Sequence, residues 1–227
     1  MYKRGLIALA AAGAVAGASA AASADPWFLR GDFNGWGTDD EMSEVAPGHY
    51  QATVTGLTDG TTYEFKVAAE DWSSEWPSSN ARIRAGSSGE LTVNLWFDVD
   101  GDGWSPGGAR VGYEDLGYTW DIMGSFNGWA EPVVTLTHLG DGVHQGQISV
   151  ADPGDYWFKF RNAGDWDVAV GDNFGSGAGD IPYTTTTADE TVIFTLDLPG
   201  GRFNVVPEPG SLALLGVGGL MLLRRRR

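Results

Sequence analysis

The sequence predicts an all-β chain, two tandem β-sandwiches flanked by an N-terminal signal peptide and a C-terminal short transmembrane helix. Three observations carry this expectation. The chain compared with itself repeats its landmarks in the same order, Gly31 to Trp36 returning as Gly124 to Trp129. Within each copy the apolar period is two, the period of a half-buried strand. No stretch between the two ends sustains the i, i+3, i+4, i+7 stripe of an amphipathic helix.

The first element, residues 1–24, has the three parts of a secretory signal. Lys3 and Arg4 form a basic start, an Ala/Gly/Leu/Ile run follows, and Ala22-Ser23-Ala24 supplies the small-residue cleavage pattern. Export is therefore expected, and because the 227-residue chain has no Cys it must hold together without disulfides. Of its 14 Lys and Arg, six lie at the extremes, so residues 25–206 carry 29 acidic against 8 basic side chains. No basic stripe is left to displace counterions from a phosphate backbone, which excludes nucleic acid as a default partner. All 10 Trp lie in this acidic middle, a composition of packed β-structure rather than of disorder.

Two modules follow, over 25–97 and 118–206. Tyr63 to Lys66 (YEFK) recurs as Tyr156 to Lys159 (YWFK), Asp71-Trp72 as Asp165-Trp166, and Thr92-Val93 as Thr191-Val192. Duplication of one unit of about 90 residues is the simplest account. Tyr63, Phe65 and Val67 alternate with Glu64 and Lys66, and Tyr156, Phe158 and Phe160 with Trp157, Lys159 and Arg161. Leu91 to Phe97 and Val192 to Leu198 alternate likewise near the module ends. Asn-Gly at 34–35 and 127–128, with Thr58 to Gly60, Leu139 to Gly142 and Pro153 to Asp155, mark turns. Short strands at this turn spacing favour a sandwich in each module. Phe33, Phe65, Phe126 and Phe158 are expected in the core.

Between the modules, residues 98–117 are rich in Gly, Pro and Asp and read as an acidic linker. Asp98, Asp100 and Asp102 resemble the first half of a calcium loop, alternate carboxylates converging on a hard cation. The position eleven residues after Asp98, where such a loop wants Glu, is Ala109. Glu114 or Asp115 would have to substitute from farther away, and a solvated acidic turn without Ca²⁺ is an equal alternative. No other cofactor is expected.

The last element, residues 207–227, begins Pro207-Glu208-Pro209-Gly210, continues through the apolar run Ser211 to Leu223 and ends on Arg224 to Arg227. As a helix that run reaches only about 20 Å, short of the roughly 30 Å hydrocarbon core, and four arginines hold its end on the cytoplasmic side. Temporary retention in the inner membrane suits it better than permanent anchoring. The order Pro-Glu-Pro, apolar span, arginines resembles the PEP-CTERM sorting signal of Gram-negative bacteria. That resemblance implies an exosortase-type processing enzyme as partner, export to the cell envelope, outer surface or medium, and a host that makes exopolysaccharide.

Gly-x-Phe-Asn-Gly-Trp, then Tyr-x-Phe-Lys on a strand, then Asp-Trp in the next turn, resembles the starch- and glycogen-binding β-sandwich modules. The β subunit of AMP-activated protein kinase, pullulanases and branching enzymes carry such modules, and both copies share the resemblance. It implies sugar-stacking roles for Trp36, Trp72, Trp129 and Trp166, hydroxyl-binding roles for Lys66 and Lys159, and polar loop contacts from Asn80 and Asn173. The residues support this chemically. A pyranose offers C–H groups on its face and hydroxyls at its edge, so a site needs a flat aromatic wall and a polar rim. Strand alternation puts Lys66 and Lys159 on the face opposite the core aromatics, free to serve as rim.

Catalysis is not expected. The chain has only His49, His138 and His144, with no His-Glu-x-x-His, no Gly-x-Ser-x-Gly and no Cys nucleophile. The sequence thus points to two immunoglobulin-like sandwiches that bind polysaccharide, α-glucan or exopolysaccharide, without turning it over. The alternative is a structural surface or matrix spacer with its tryptophans packed inward.

Overall fold

Alternating apolar positions become strands throughout the computed structural model, which describes residues 26–97, 103–106, 108–131, 133–162 and 164–208. The signal peptide, Asp98, Asp100 and Asp102, Pro209 and the apolar span of the tail lie outside the described residues. The first repeat forms β1 (Trp27–Gly31), β2 (Ser43–Ala46), β3 (His49–Thr55), β4 (Thr62–Ala69), β5 (Glu75–Arg84), β6 (Glu90–Trp96) and β7 (Arg110–Tyr113). The second forms β8 (Trp120–Gly124), β9 (Val134–Thr135), β10 (Thr137–Gly140), β11 (Val143–Val150), β12 (Gly154–Asn162), β13 (Asp165–Val170), β14 (Ile181–Thr185), β15 (Glu190–Asp197) and β16 (Arg202–Glu208). Single 3-10 turns at Asp32–Asn34 and Ser125–Asn127 are the only helical segments among the described residues. No helix there is long and apolar enough to cross a membrane.

The chain is all-β and of sandwich type. Four antiparallel sheets form, two per repeat, in a propeller-like arrangement of four blades. Their orders are β1-β4-β5 and β2-β3-β6-β7, then β13-β12-β8-β9 with β14 also on β12, and β10-β11-β15-β16. Successive strands mostly pair within one sheet, as β2-β3, β4-β5 and β6-β7 do, and the chain changes sheet between these pairs, so each sheet buries one face against its pair. The inward positions are the alternating ones: Leu91, Val93 and Leu95 on β6, and Val192, Phe194 and Leu196 on β15, are fully buried. Phe158 of β12 meets Phe194 of β15 at 4.7 Å and 72°, joining the second pair of sheets, while Phe65 of β4 meets Tyr113 of β7 at 6.0 Å. Each such ring contributes about 1.5–3 kcal/mol through burial and an edge-to-face term of order 1 kcal/mol.

The stretch expected as a linker holds a strand. Val111 and Tyr113 alternate with Gly112, and β7 pairs with β6 across Trp96↔Arg110 to Val93↔Tyr113. The Gly-rich composition hides this strand, because Gly112 is small for packing and not for a turn. A Cβ there would lie 2.3 Å from the Pro199 carbonyl oxygen. The two repeats consequently pack together. Tyr113 N–H donates to Leu198 O at 2.9 Å, Trp96 Nε1 to Pro199 O at 3.0 Å and Tyr118 Oη to Ala85 O at 2.9 Å. Edge strand β5 lies beside edge strand β13, tied by ion pairs of Arg84 with Asp165 and of Arg82 with Asp167. Tyr113 and Phe174 carry one buried cluster from repeat to repeat.

A core continuous across both repeats has a measurable consequence. Calorimetric unfolding is expected to show one transition, with van't Hoff and calorimetric enthalpies equal. Two resolved transitions would mean that the repeats are stable separately.

Candidate functional site

The Gly-x-Phe-Asn-Gly-Trp turn has a physical part for almost every residue, and both copies use it alike. At Gly31 and Gly124 an added Cβ would lie 2.5 Å from Glu64 O and 2.3 Å from Trp157 O, so only glycine lets β1 and β8 approach the neighbouring strand there. Phe33 and Phe126 pack against the core. Asn34 Oδ1 accepts from Gly31 N–H at 2.9 Å and Asn127 Oδ1 from Gly124 N–H at 3.3 Å, closing the 3-10 turn. The variable second residue latches the turn to the next strand. Asp32 Oδ2 accepts from Glu64 N–H at 2.9 Å, and Ser125 Oγ from Trp157 N–H at 3.0 Å.

Gly35 and Gly128 then turn left-handed, at φ 61° and 66°, and the tryptophans follow them there, Trp36 at φ 63° and Trp129 at 59°. Trp72 joins them at 61°. A bulky side chain at positive φ is an outlier that costs of order 1–3 kcal/mol and persists only where the surroundings enforce it. The Asp-Trp motif supplies such enforcement. Asp71 Oδ1 accepts from Ser73 N–H and Asp165 Oδ1 from Asp167 N–H, both at 2.9 Å, so an Asx turn lifts the intervening ring in each copy. The Ser73 hydroxyl first, and then its N–H, hold the Asp71 carboxyl below its ordinary range.

These turns converge. Trp36 and Trp72 lie 6.3 Å apart between ring centroids at 38°, and Trp129 and Trp166 lie 6.0 Å apart at 49°. Trp72 is 38% exposed and Trp166 45%. Each pair rests on an arginine that the repeat comparison does not reveal. The Arg30 guanidinium sits 4.0 Å from the Trp72 ring centre, and that of Arg161 sits 5.0 Å from Trp166. Arg30 belongs to β1 and Arg161 to β12, so the two are not repeat equivalents. Arg30 donates to Trp36 O and Gly37 O on one loop and to Ala69 O and Glu70 O on the other, bracing both. Arg161 instead binds Asp121 through two hydrogen bonds of 2.9 and 3.1 Å, both residues being buried. A cation thus lies against the second tryptophan of each copy, the more exposed ring of its pair.

The polar residues are placed differently from expectation. Lys66 lies on the face opposite the core as alternation requires, beside Arg30 on β1, yet it is only 7% exposed. Its Nζ donates to Glu75 Oε1 at 2.7 Å and Ser78 O at 2.8 Å, so it is not a free rim donor. Lys159 Nζ is 3.6 Å from Asp180 Oδ1 and less buried. Asn80 Nδ2 donates to Glu64 Oε2 at 2.7 Å, and this bond first, with Arg82 behind it, holds the Glu64 carboxyl below its ordinary range against the opposing effect of burial. Asn173 reaches the other repeat, donating to Ser79 Oγ at 3.2 Å and to Ser78 Oγ. Asn80 O accepts from Ser176 N–H at 2.9 Å. Both asparagines thus serve the junction of the repeats, which a comparison of one copy with the other could not show.

Pro207 and Glu208 end β16, paired with Val192 and Thr191. This is an edge strand, where proline's missing N–H costs no ladder bond. Residues 205–227 match the model of the PEP-CTERM protein-sorting motif, so the tail resemblance holds and the motif overlaps the last strand. It suggests export and processing by an exosortase-type system, with sorting to the cell envelope or outer surface. No curated protein and no solved structure matches the chain.

Proposed function

We propose that this is an exported, non-catalytic carbohydrate-binding protein, built as two tandem immunoglobulin-like sandwiches, whose tryptophan pairs dock the sugar faces of an α-glucan or an exopolysaccharide. The observation that carries the reading is the duplicated constellation itself. Two tilted indoles and a guanidinium are assembled in each copy, the guanidinium from a different strand each time. Core packing alone gives no reason for three of the four rings to sit at positive φ, whereas presentation of flat apolar faces to a ligand does. An exposed aromatic wall matches the C–H patch of a pyranose and contributes about 1 kcal/mol per ring beyond the area buried. Open platforms of this kind suit a polymer lying across the surface.

Affinity electrophoresis through gels containing amylopectin, glycogen or the host's exopolysaccharide tests the proposal. Retardation by at least one glycan, relieved by soluble oligosaccharide, is expected. Unchanged mobility in all three would leave the spacer reading, which the close packing of the repeats favours.

A further inference from the structure

A second cluster has no part in the tryptophan sites. His138 on β10 and His144 on β11 are directly paired across the two strands, and their rings stack at 4.9 Å and 26°. Asp115, from the segment that joins the repeats, reaches the same point. Its Oδ2 is 3.0 Å from His144 Nε2 and 3.4 Å from His138 Nε2, and one donor atom from each of the three residues lies within 4.8 Å of the others. We propose that Asp115, His138 and His144 form a binding site for a first-row divalent transition ion, with Zn²⁺ as the representative.

The geometry is the main argument. Zinc held at about 2.0–2.1 Å from nitrogen and oxygen ligands has neighbouring ligand atoms about 3.3 Å apart in a tetrahedron. The separations of 3.0 and 3.4 Å bracket that edge. The donor set is two imidazoles and one carboxylate, borderline ligands that suit zinc and its neighbours. Calcium, which takes six to eight oxygens, does not fit them. A cleft of about 470 Å³ opens beside the three residues, bordered by Tyr118, Thr119 and Asp141. It leaves room for water as a fourth ligand, the pattern of an open zinc site. Each histidine would coordinate through Nε2, with the ring proton on Nδ1 in place of the Nε2–H that hydrogen-bonds Asp115 in the metal-free chain.

A structural alternative accounts for only part of this. His144 is 3% exposed and needs a partner, and Asp115 satisfies it. His138 has a side chain 53% exposed, so solvent can satisfy it and it has no need of the same carboxylate. His138 is therefore the discriminating residue, and its removal leaves the core intact. Bound metal would fasten the connecting segment to the β10-β11 hairpin of the second repeat.

The test is calorimetric titration of ZnCl₂ into the chelator-treated full-length chain, alongside His138→Ala and Asp115→Asn. One ion per chain with micromolar or tighter affinity is expected. Loss of outer-shell partners already weakens metal sites by up to about 100-fold, so loss of the ligand His138 should cost at least as much while circular dichroism stays native. Cobalt(II) should give the strong visible bands of a four-coordinate ion in wild type and not in His138→Ala. No one-to-one binding below about 100 μM zinc, or unchanged binding in folded His138→Ala, would overturn the proposal.

Discussion

Replacing Trp72 and Trp166 together by alanine is expected to abolish retention on glycan while circular dichroism and the melting temperature stay near wild type. These two rings are the more exposed members of their pairs and lie outside the buried core cluster, so truncation leaves the core packing in place. Each single change removes a stacking contact of about 1 kcal/mol or more, a roughly fivefold to tenfold loss of affinity at one site. The double change has the larger effect because the sites are joined. Two sites on one polymer gain on the order of 10² in avidity if the spacing allows both to engage. The close packing of the repeats makes that spacing fixed rather than adjustable. A polymer of matching repeat then gains the full advantage, and a mismatched one gains none. Comparing long glucan with short oligosaccharides separates these cases: the single variants should differ from wild type far more on polymer than on oligosaccharide. Trp36→Gly approaches the same site from the other side. At φ 63° glycine is unstrained, so the variant should bind less well without being less stable. Retention of a folded Trp72→Ala, Trp166→Ala variant equal to that of wild type would remove these surfaces from the function.

Much of this architecture was legible before the structure, and what was not has a common cause. Period-two alternation marked β4, β6, β12 and β15, because one face of each is buried and the other is not. The Asn-Gly turns and the Asp71-Trp72 turn are legible because their conformations depend on residues adjacent in sequence, whereas Asp165 and Trp166, expected in a turn, open strand β13. Contacts made between strands were hidden. Arg30 and Arg161 reach equivalent places from non-equivalent strands, so aligning the repeats could not pair them. The face of Lys66 follows from alternation along its own strand, while its partners Glu75 and Ser78 belong to the next strand. The Asp115, His138 and His144 cluster joins a connector to a hairpin of the following repeat and follows no short spacing rule. Strand β7 is hidden by the Gly, Pro and Asp richness of 98–117, in which Gly112 serves to let Pro199 and Gly201 approach.

Removing Asp121 should have the largest effect on stability of any single polar change. Asp121 and Arg161 face each other across β8 and β12 and are joined by two hydrogen bonds. Each side chain is 7% exposed. A buried pair is worth little against a well-packed apolar replacement, because both charges must be desolvated. Breaking it from one side is different, since the remaining charge stays buried without compensation, at a cost of about 3–5 kcal/mol. Among the described residues Arg161 has a second ion-pair partner in Glu131, whose Oε1 lies 3.9 Å away on a side chain 72% exposed, too wet to replace Asp121. Against a total stability of roughly 5–15 kcal/mol, Asp121→Ala should move the urea midpoint sharply downward with the slope unchanged. Asp121→Leu combined with Arg161→Met should restore most of the loss, because no charge is then left behind. The two variants should part in function. The apolar pair keeps the sheet but loses the cation beneath Trp166, so its second glycan site should weaken while the first, braced by Arg30, is unaffected. A loss below 1 kcal/mol in Asp121→Ala would mean that water reaches Arg161 and that the guanidinium is no rigid platform for the ring above it.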